Sequence, residues 1–191
     1  MDIKIKGKKY IGQCNALSYI FYKKIFNTNI FDDLKIFRKA LIDIENGNNN
    51  KENVLNFYEI LQKFIYVLIY TKNQDIEDYE EWKSLLELKD ITENVINSTI
   101  EIIIKSFLDE KVNKELEKIP ENDIKEPIFP EHSFLNLCLS YGLTIEDLKI
   151  LTYTDISKMY ISAYLKNKEN GKRTKKGRKA TQADWDKLAN L

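Results

Sequence analysis

Proline and glycine are scarce in this chain, with three and six in 191 residues. A many-turned β fold uses more of both, so long helices are expected. Cysteine is equally sparse. Cys14 and Cys138 stand far apart and make neither a disulfide framework nor a zinc site, so buried thiols in a reducing cytosol are expected. No run of about 18 apolar residues occurs, so no membrane span is expected. The opening "MDIKIKGKKY" lacks the apolar core of a signal peptide. These absences predict a soluble cytoplasmic protein with no membrane partner. Phosphate-loop, dinucleotide, zinc-protease and nucleophile-elbow patterns are missing as well, so the residues give no reason to propose catalysis, a cofactor or a metal.

What is present is a globular composition, 43% hydrophobic and 12% aromatic. A chain of this length buries about 70% of its unfolded surface and needs no staples to fold. Formal net charge is zero, but it is unevenly spread. Residues 166–179 hold eight basic residues and one acidic, a net of +7, which leaves the first 165 residues mildly acidic.

"IKIKGKKYIG" alternates apolar and basic residues about a Gly7-Lys8 turn, which reads as a short hairpin. Asn15 is placed to cap a first helix with Leu17, Ile20, Phe21 and Ile25 on one side. Asp32 or Asp33 is expected to cap a second, striped by Leu34, Phe37 and Leu41, and "ENGNNN" reads as a loop. Residues 53–72 form the most apolar helix, with Val54, Phe57, Leu61, Phe64, Ile65 and Leu68 inward and Tyr58 and Val67 widening the stripe. Such a helix is usually central in a bundle. Asp78 is expected to cap a short helix. A long helix should then run from about Ile91, with Ile96, Ile100, Ile103, Ile104, Phe107 and Leu108 inward.

All three prolines fall in a connector near residues 119–131. Three short helical pieces should follow. The first begins at Ser133 and stops at Gly142. The second is boxed by Thr144 and Asp147. The third begins at Thr154, with Ile156, Met159, Tyr160 and Ala163 on one side. The expected architecture is therefore mainly α. A helical bundle with an N-terminal β-hairpin and about seven helices spans residues 1–165, followed by a flexible basic linker at 166–180 and a terminal amphipathic helix at 181–191.

Candidate functional residues are few. His132 lies at a helix start with no nucleophile in a recognised setting around it, so a surface role is preferred to an acid–base one. The cluster "DIEDYEEW" lacks the Asp/Asn alternation and mid-loop glycine of a calcium loop, so a solvated helix start is preferred. The aromatic stripe of residues 57–70 reads as core rather than as a partner groove. The cations Lys172, Arg173, Lys175, Lys176, Arg178 and Lys179 would suit phosphates, giving a nucleic-acid-binding phage or prophage regulator as the alternative function. No aromatic residue is interleaved for base stacking, so a solvated linker is preferred and nucleic acid is not the expected partner. Beyond it, Trp185, Leu188 and Leu191 give a small apolar face. That face either folds back on the body or presents itself to a protein partner, with Trp185 as anchor.

Three stretches resemble one family. "YGLTIEDLKILTYTDISKMYISA" is similar to the helical core of tail assembly chaperones from phages and prophages of Gram-positive bacteria. "RKATQADWDKLANL" resembles an ending seen on products encoded just ahead of the tape-measure gene. "YIGQCNALSYIFYKKIFNTNIFDDL" is similar to the chaperones' opening. Residues 45–130 carry no such likeness, and Trp185 stands where many relatives have an aliphatic residue. The resemblance implies a non-enzymatic role in the host cytoplasm, coating the tape-measure protein before the tail tube polymerises. It also implies the tail-tube protein and a frameshift-extended form of the chain itself as further partners, and self-association. It supplies no catalytic, cofactor or metal residues.

Overall fold

The hairpin forms where alternation places it. β1 (Asp2–Ile5) and β2 (Lys8–Ile11) pair antiparallel, with Ile3 opposite Tyr10 and Ile5 opposite Lys8. The turn is Lys6-Gly7, one residue earlier than the sequence suggested. Both residues take positive φ, 47° and 82°, the twist a two-residue hairpin needs. Ile3, Ile5 and Tyr10 point inward. The computed structural model describes residues 2–48, 50–107, 109–118 and 131–169. These fall into two compact units divided between Ile103 and Ile104.

In the first unit, α1 (Ala16–Phe26) starts at Asn15, as expected. The Asn15 side chain accepts from Leu17 N–H at 3.0 Å, and Ser18 Oγ accepts from the Asn15 backbone, closing a capping box. Thr71 donates to Val67 O, so Ser18 supplies the proton in the 2.9 Å Ser18–Thr71 contact. The helix-start residue therefore also ties α1 to α3 (Lys51–Lys72). α2 (Ile30–Glu45) is capped by Asn29, not by Asp32 or Asp33. Asp32 instead pairs with Lys35, and Asp33 turns inward. Leu34 and Phe37 are buried as expected; Ala40 takes the place foreseen for Leu41.

α3 is central. It packs against α1, α2 and β2, and six consecutive residues from Phe64 to Ile69 are buried, so neighbours cover it all round there. Gln13 N–H donates to Leu68 O at 2.9 Å, fastening the end of the hairpin to it. Phe57 stacks on Phe37 at 4.9 Å, and of the aromatic stripe Phe57, Phe64 and Tyr66 are buried while Tyr58 and Tyr70 are half-buried. α4 (Tyr79–Leu85) is capped by Asp78, whose side chain accepts from Glu81 N–H. A 3₁₀ turn, Leu88–Asp90, lies against β1.

The expected long helix is two. α5 (Glu93–Phe107) and α6 (Glu110–Glu117) are separate, and Asp109 receives the Lys111 and Val112 N–H groups at the start of α6. The buried face of α5 is Val95, Thr99, Ile103, Ser106 and Phe107. Ile96 and Ile100 are half-buried, and Ile104 is exposed. Isoleucine is so frequent here that hydrophobicity alone marks two phases; Thr99 survives inside because its hydroxyl donates to Val95 O at 2.7 Å. Leu108 lies outside the described residues.

In the second unit, α7 (Glu131–Ser140) ends on Gly142, as expected. Gly142 has φ +74°, Leu143 N–H donates to Cys138 O and Gly142 N–H to Leu139 O, a Schellman stop. α8 (Ile145–Leu148) carries the expected Thr144–Asp147 box. α9 (Tyr153–Glu169) repeats that box with Thr152 and Asp155, so Thr152 caps it rather than Thr154. Thr154 is used inside instead, donating to Ser106 O at 3.0 Å. The inner face of α9 is accordingly Tyr153, Ile156, Ser157 and Ile161, while Met159 is exposed. Tyr153 stacks on Phe134 at 5.2 Å and meets Phe107 at 5.9 Å. Val112 of α6 packs with Ile161 of α9, and Lys158 reaches Asp109 at 3.1 Å. α9 continues through Lys166 to Glu169, four residues into the stretch read as linker. Lys and Glu are good helix formers.

Candidate aromatic cleft

Among its described residues the first unit opens a cleft of about 650 Å³, within the range of ligand sites, roughly 300–1,000 Å³. Its wall comes from Ile25 on α1 and from Tyr66 and Tyr70, one turn apart on α3. Gln74, Ile76 and Asp78 follow in the connection, and Tyr79 and Glu80 at the start of α4 complete it. The rings are fixed by one another. Tyr66 and Tyr70 stack at 6.0 Å, and Tyr79 meets Tyr66 edge-on at 5.3 Å and Phe26 at 4.8 Å. Behind them Trp82, fully buried, meets Tyr66 at 5.3 Å and lies parallel to Tyr79 at 6.4 Å.

Polar atoms at this place fall into two sets. Tyr66 OH donates to Glu77 O at 2.9 Å, and burial pushes its phenol up to about 12. Burial, then the Glu59 and Glu80 charges, likewise raise Tyr79. Gln74 Oε1, Tyr79 OH and Trp82 Nε1 are buried with no hydrogen-bond partner in the protein. Such atoms cost about 1–3 kcal/mol each when left unmet. Two of the lining residues, Asp78 and Glu80, are acidic, and they belong to a sequence run, Asp75, Glu77, Asp78, Glu80 and Glu81, with no basic residue between. Glu77 is engaged by Lys8 at 3.1 Å; its own backbone and then Lys8 hold its carboxyl below the usual range. Lys83 places its ammonium 5.5 Å from the centre of the Tyr79 ring, so that ring already accepts a cation.

A second polar cluster, at Asp33, is of another kind. Tyr22 OH donates to Asp33 Oδ2 at 2.6 Å, Thr28 Oγ1 donates to the same oxygen at 3.0 Å, and Lys63 Nζ lies 3.5 Å from it. Lys63 also reaches Glu59 at 3.6 Å. Burial, then Asp33, drives the Tyr22 phenol strongly upward. The cluster joins α1, α2 and α3, and its carboxylate is filled by partners, so it reads as a clamp rather than a reactive centre.

The residues singled out in the sequence are dispersed. His132 is the second residue of α7. The acidic cluster serves the cleft rim, the Lys8 pair and the α4 cap; among the described residues no three His, Cys, Asp or Glu side chains group to hold a metal. Cys138 is buried, which raises its thiol to about 12. The proline connector at 119–130, the linker from residue 170, Lys172, Arg173, Lys175, Lys176, Arg178 and Lys179, and Trp185, Leu188 and Leu191 lie outside the described residues. Sequence reasoning missed the cleft. Its signal was Tyr66 and Tyr70 at helical spacing, with Tyr79 opening the next helix.

Compared with known protein families, with characterised proteins and with solved structures, the chain shows no match. Among the described residues no helix is long and apolar enough to cross a membrane.

Proposed function

We propose that this chain is a non-enzymatic tail assembly chaperone of phage or prophage type, acting in the host cytoplasm on the tape-measure protein. The observation that carries it is the order of three motif-like stretches in one chain: the Asn-Ala-Leu opening, the Gly-Leu-Thr region and the Ala-Thr-Gln-Ala-Asp-Trp-Asp ending. The local structure supports the reading. Gly142, Thr144, Asp147, Thr152 and Asp155, all within the motif-like stretch, are the residues that stop and restart α7, α8 and α9. At the α8–α9 joint Ile150 is left 79% exposed, an apolar side chain suited to an apolar client. A long helical client carries apolar stripes that aggregate before assembly. Many copies of a small acidic domain would cover them, each contact weak and the sum strong. Trp185, Leu188 and Leu191 would grip the client, with the basic segment as reach.

Co-expression with a neighbouring long helical reading frame tests this. The client's soluble fraction should rise several-fold; an unchanged fraction rejects the role. The competing reading, a nucleic-acid regulator using residues 172–179, requires binding at low salt that falls steeply as salt rises. A gel shift showing none removes it.

A further inference from the structure

We propose that the terminal segment, residues 181–191, folds back on its own chain and covers an exposed ridge of α9. That ridge is Met159, Ser162 and Leu165, three residues apart along the helix and all exposed. The other side of α9, with Tyr153, Ile156, Ser157 and Ile161, is the side that the second unit buries. Rows of side chains three apart are among the ridges by which helices pack. Here two apolar side chains of such a row stand in water, and the small Ser162 between them lets a second helix come close.

Trp185, Leu188 and Leu191 repeat the same spacing. As a helix they would extend about 9 Å from first to last, the same length as Met159 to Leu165. Run antiparallel to α9, Trp185 meets Leu165, Leu188 meets Ser162 and Leu191 meets Met159. That direction also sets Asp184 and Asp186, which flank Trp185, beside Lys166, exposed next to Leu165. A parallel run would set them at the Met159 end, where Lys158 already reaches Asp109 at 3.1 Å. Charge therefore selects the antiparallel run. Residues 170–180 join α9 to the segment. Eleven residues span up to roughly 36 Å, against about 10 Å between packed helix axes, so the return lies within reach of the same chain. A tether this short holds the segment at an effective concentration on the order of millimolar, and a second copy competes only at a comparable concentration. The contact masks the side chains assigned above to the client, which would have to displace it. Only that displacement rests on the chaperone reading.

Acrylamide quenching of tryptophan emission in the full chain, with no client present, gives the test. The chain has two tryptophans and Trp82 is fully buried, so Trp185 supplies the quenchable emission, and Trp185→Phe gives the background. Trp185 should be quenched at least about twofold more slowly than a free tryptophan amide, as for a segment docked more than half the time. Leu165→Asp should return it to the free rate. Lys166→Glu should do so in part, and adding Asp184→Lys and Asp186→Lys should restore the protection. Dilution by about tenfold should leave the protection unchanged, as for a contact within one chain. Circular dichroism identical to wild type keeps these surface variants interpretable. Wild-type Trp185 quenched at the free rate, protection that Leu165→Asp leaves intact, or a double reversal that restores nothing overturns the proposal. Protection lost on dilution gives the ridge to a second copy and overturns it too. Because no client enters the measurement, the fold-back can fail while client solubility still rises, and the reverse.

Discussion

Both units cap their helices locally, but among the described residues the first adds more polar pairs between helices. In the first, side chains distant in sequence meet: Tyr22 with Asp33, Lys63 with Asp33, Ser18 with Thr71, Tyr10 with Glu77. In the second, the polar work is mostly local. Thr144 with Asp147 and Thr152 with Asp155 sit three residues apart, and Gly142 closes α7 through its own turn. Long-range contacts among its described residues include Thr154 to Ser106 and Lys158 to Asp109. Long-range contacts tie helices together and are lost together. Local caps define where each helix begins and ends, and each can be lost alone.

Substitutions should separate these two modes. The largest effect is expected at Trp82, fully buried among Tyr66 and Tyr79. Trp82→Ala should cost about 3–5 kcal/mol in urea unfolding and collapse the cleft behind which it stands. Asp33→Ala should come next, about 3 kcal/mol, because it leaves the Tyr22 and Thr28 hydroxyls and Lys63 facing an apolar methyl. Cap removal should be milder and confined. Thr144→Ala and Thr152→Ala should each cost about 1 kcal/mol, with faster amide exchange at the start of α8 or α9 and unchanged exchange in α3. Equal losses for Asp33→Ala and Thr144→Ala would erase the contrast.

Alkaline pH sharpens it further. The phenols of Tyr22, Tyr66 and Tyr79 are raised in the folded state, mainly by burial. A raised acid is held neutral by the fold, so its contribution is intact below the unfolded value of about 10 and is lost as pH climbs. Tyr66 should ionise near pH 12, and phenolate absorbance should lag free tyrosine and rise together with loss of helix signal. The smallest effect is expected at Ile150. Ile150→Ser should alter stability by no more than about 0.5 kcal/mol, because that side chain is already in water.

This contrast also explains what could be read from the sequence. Signals confined to a few residues were legible: Asn15, Asp78, the Thr144–Asp147 box and Gly142 all act where their neighbours predict. The central place of α3 was legible too, since its apolar residues go all the way round. What failed depended on distant partners. Asp33 looked like a cap because Tyr22 and Lys63 were unknown to it. Thr154 looked like the start of α9 because its bond to Ser106 O lies 48 positions away. Ile104 looked buried because isoleucines crowd α5, and only tertiary packing selects the phase through Thr99 and Ile103. The cleft was missed for the same reason: Tyr66, Tyr70 and Tyr79 stand out in the sequence, but Ile25, Tyr66, Gln74 and Tyr79 are brought together only by three helices and a connection.

The most direct measurement of the functional reading is the soluble fraction of the tape-measure protein co-expressed with the wild-type chain, with Trp185→Ala, or with no partner. A several-fold gain is expected with wild type and should be largely lost with Trp185→Ala, while that variant's melting temperature should stay within about 2 °C of wild type if Trp185 is presented to the client. Equal solubility in all three arms would contradict it.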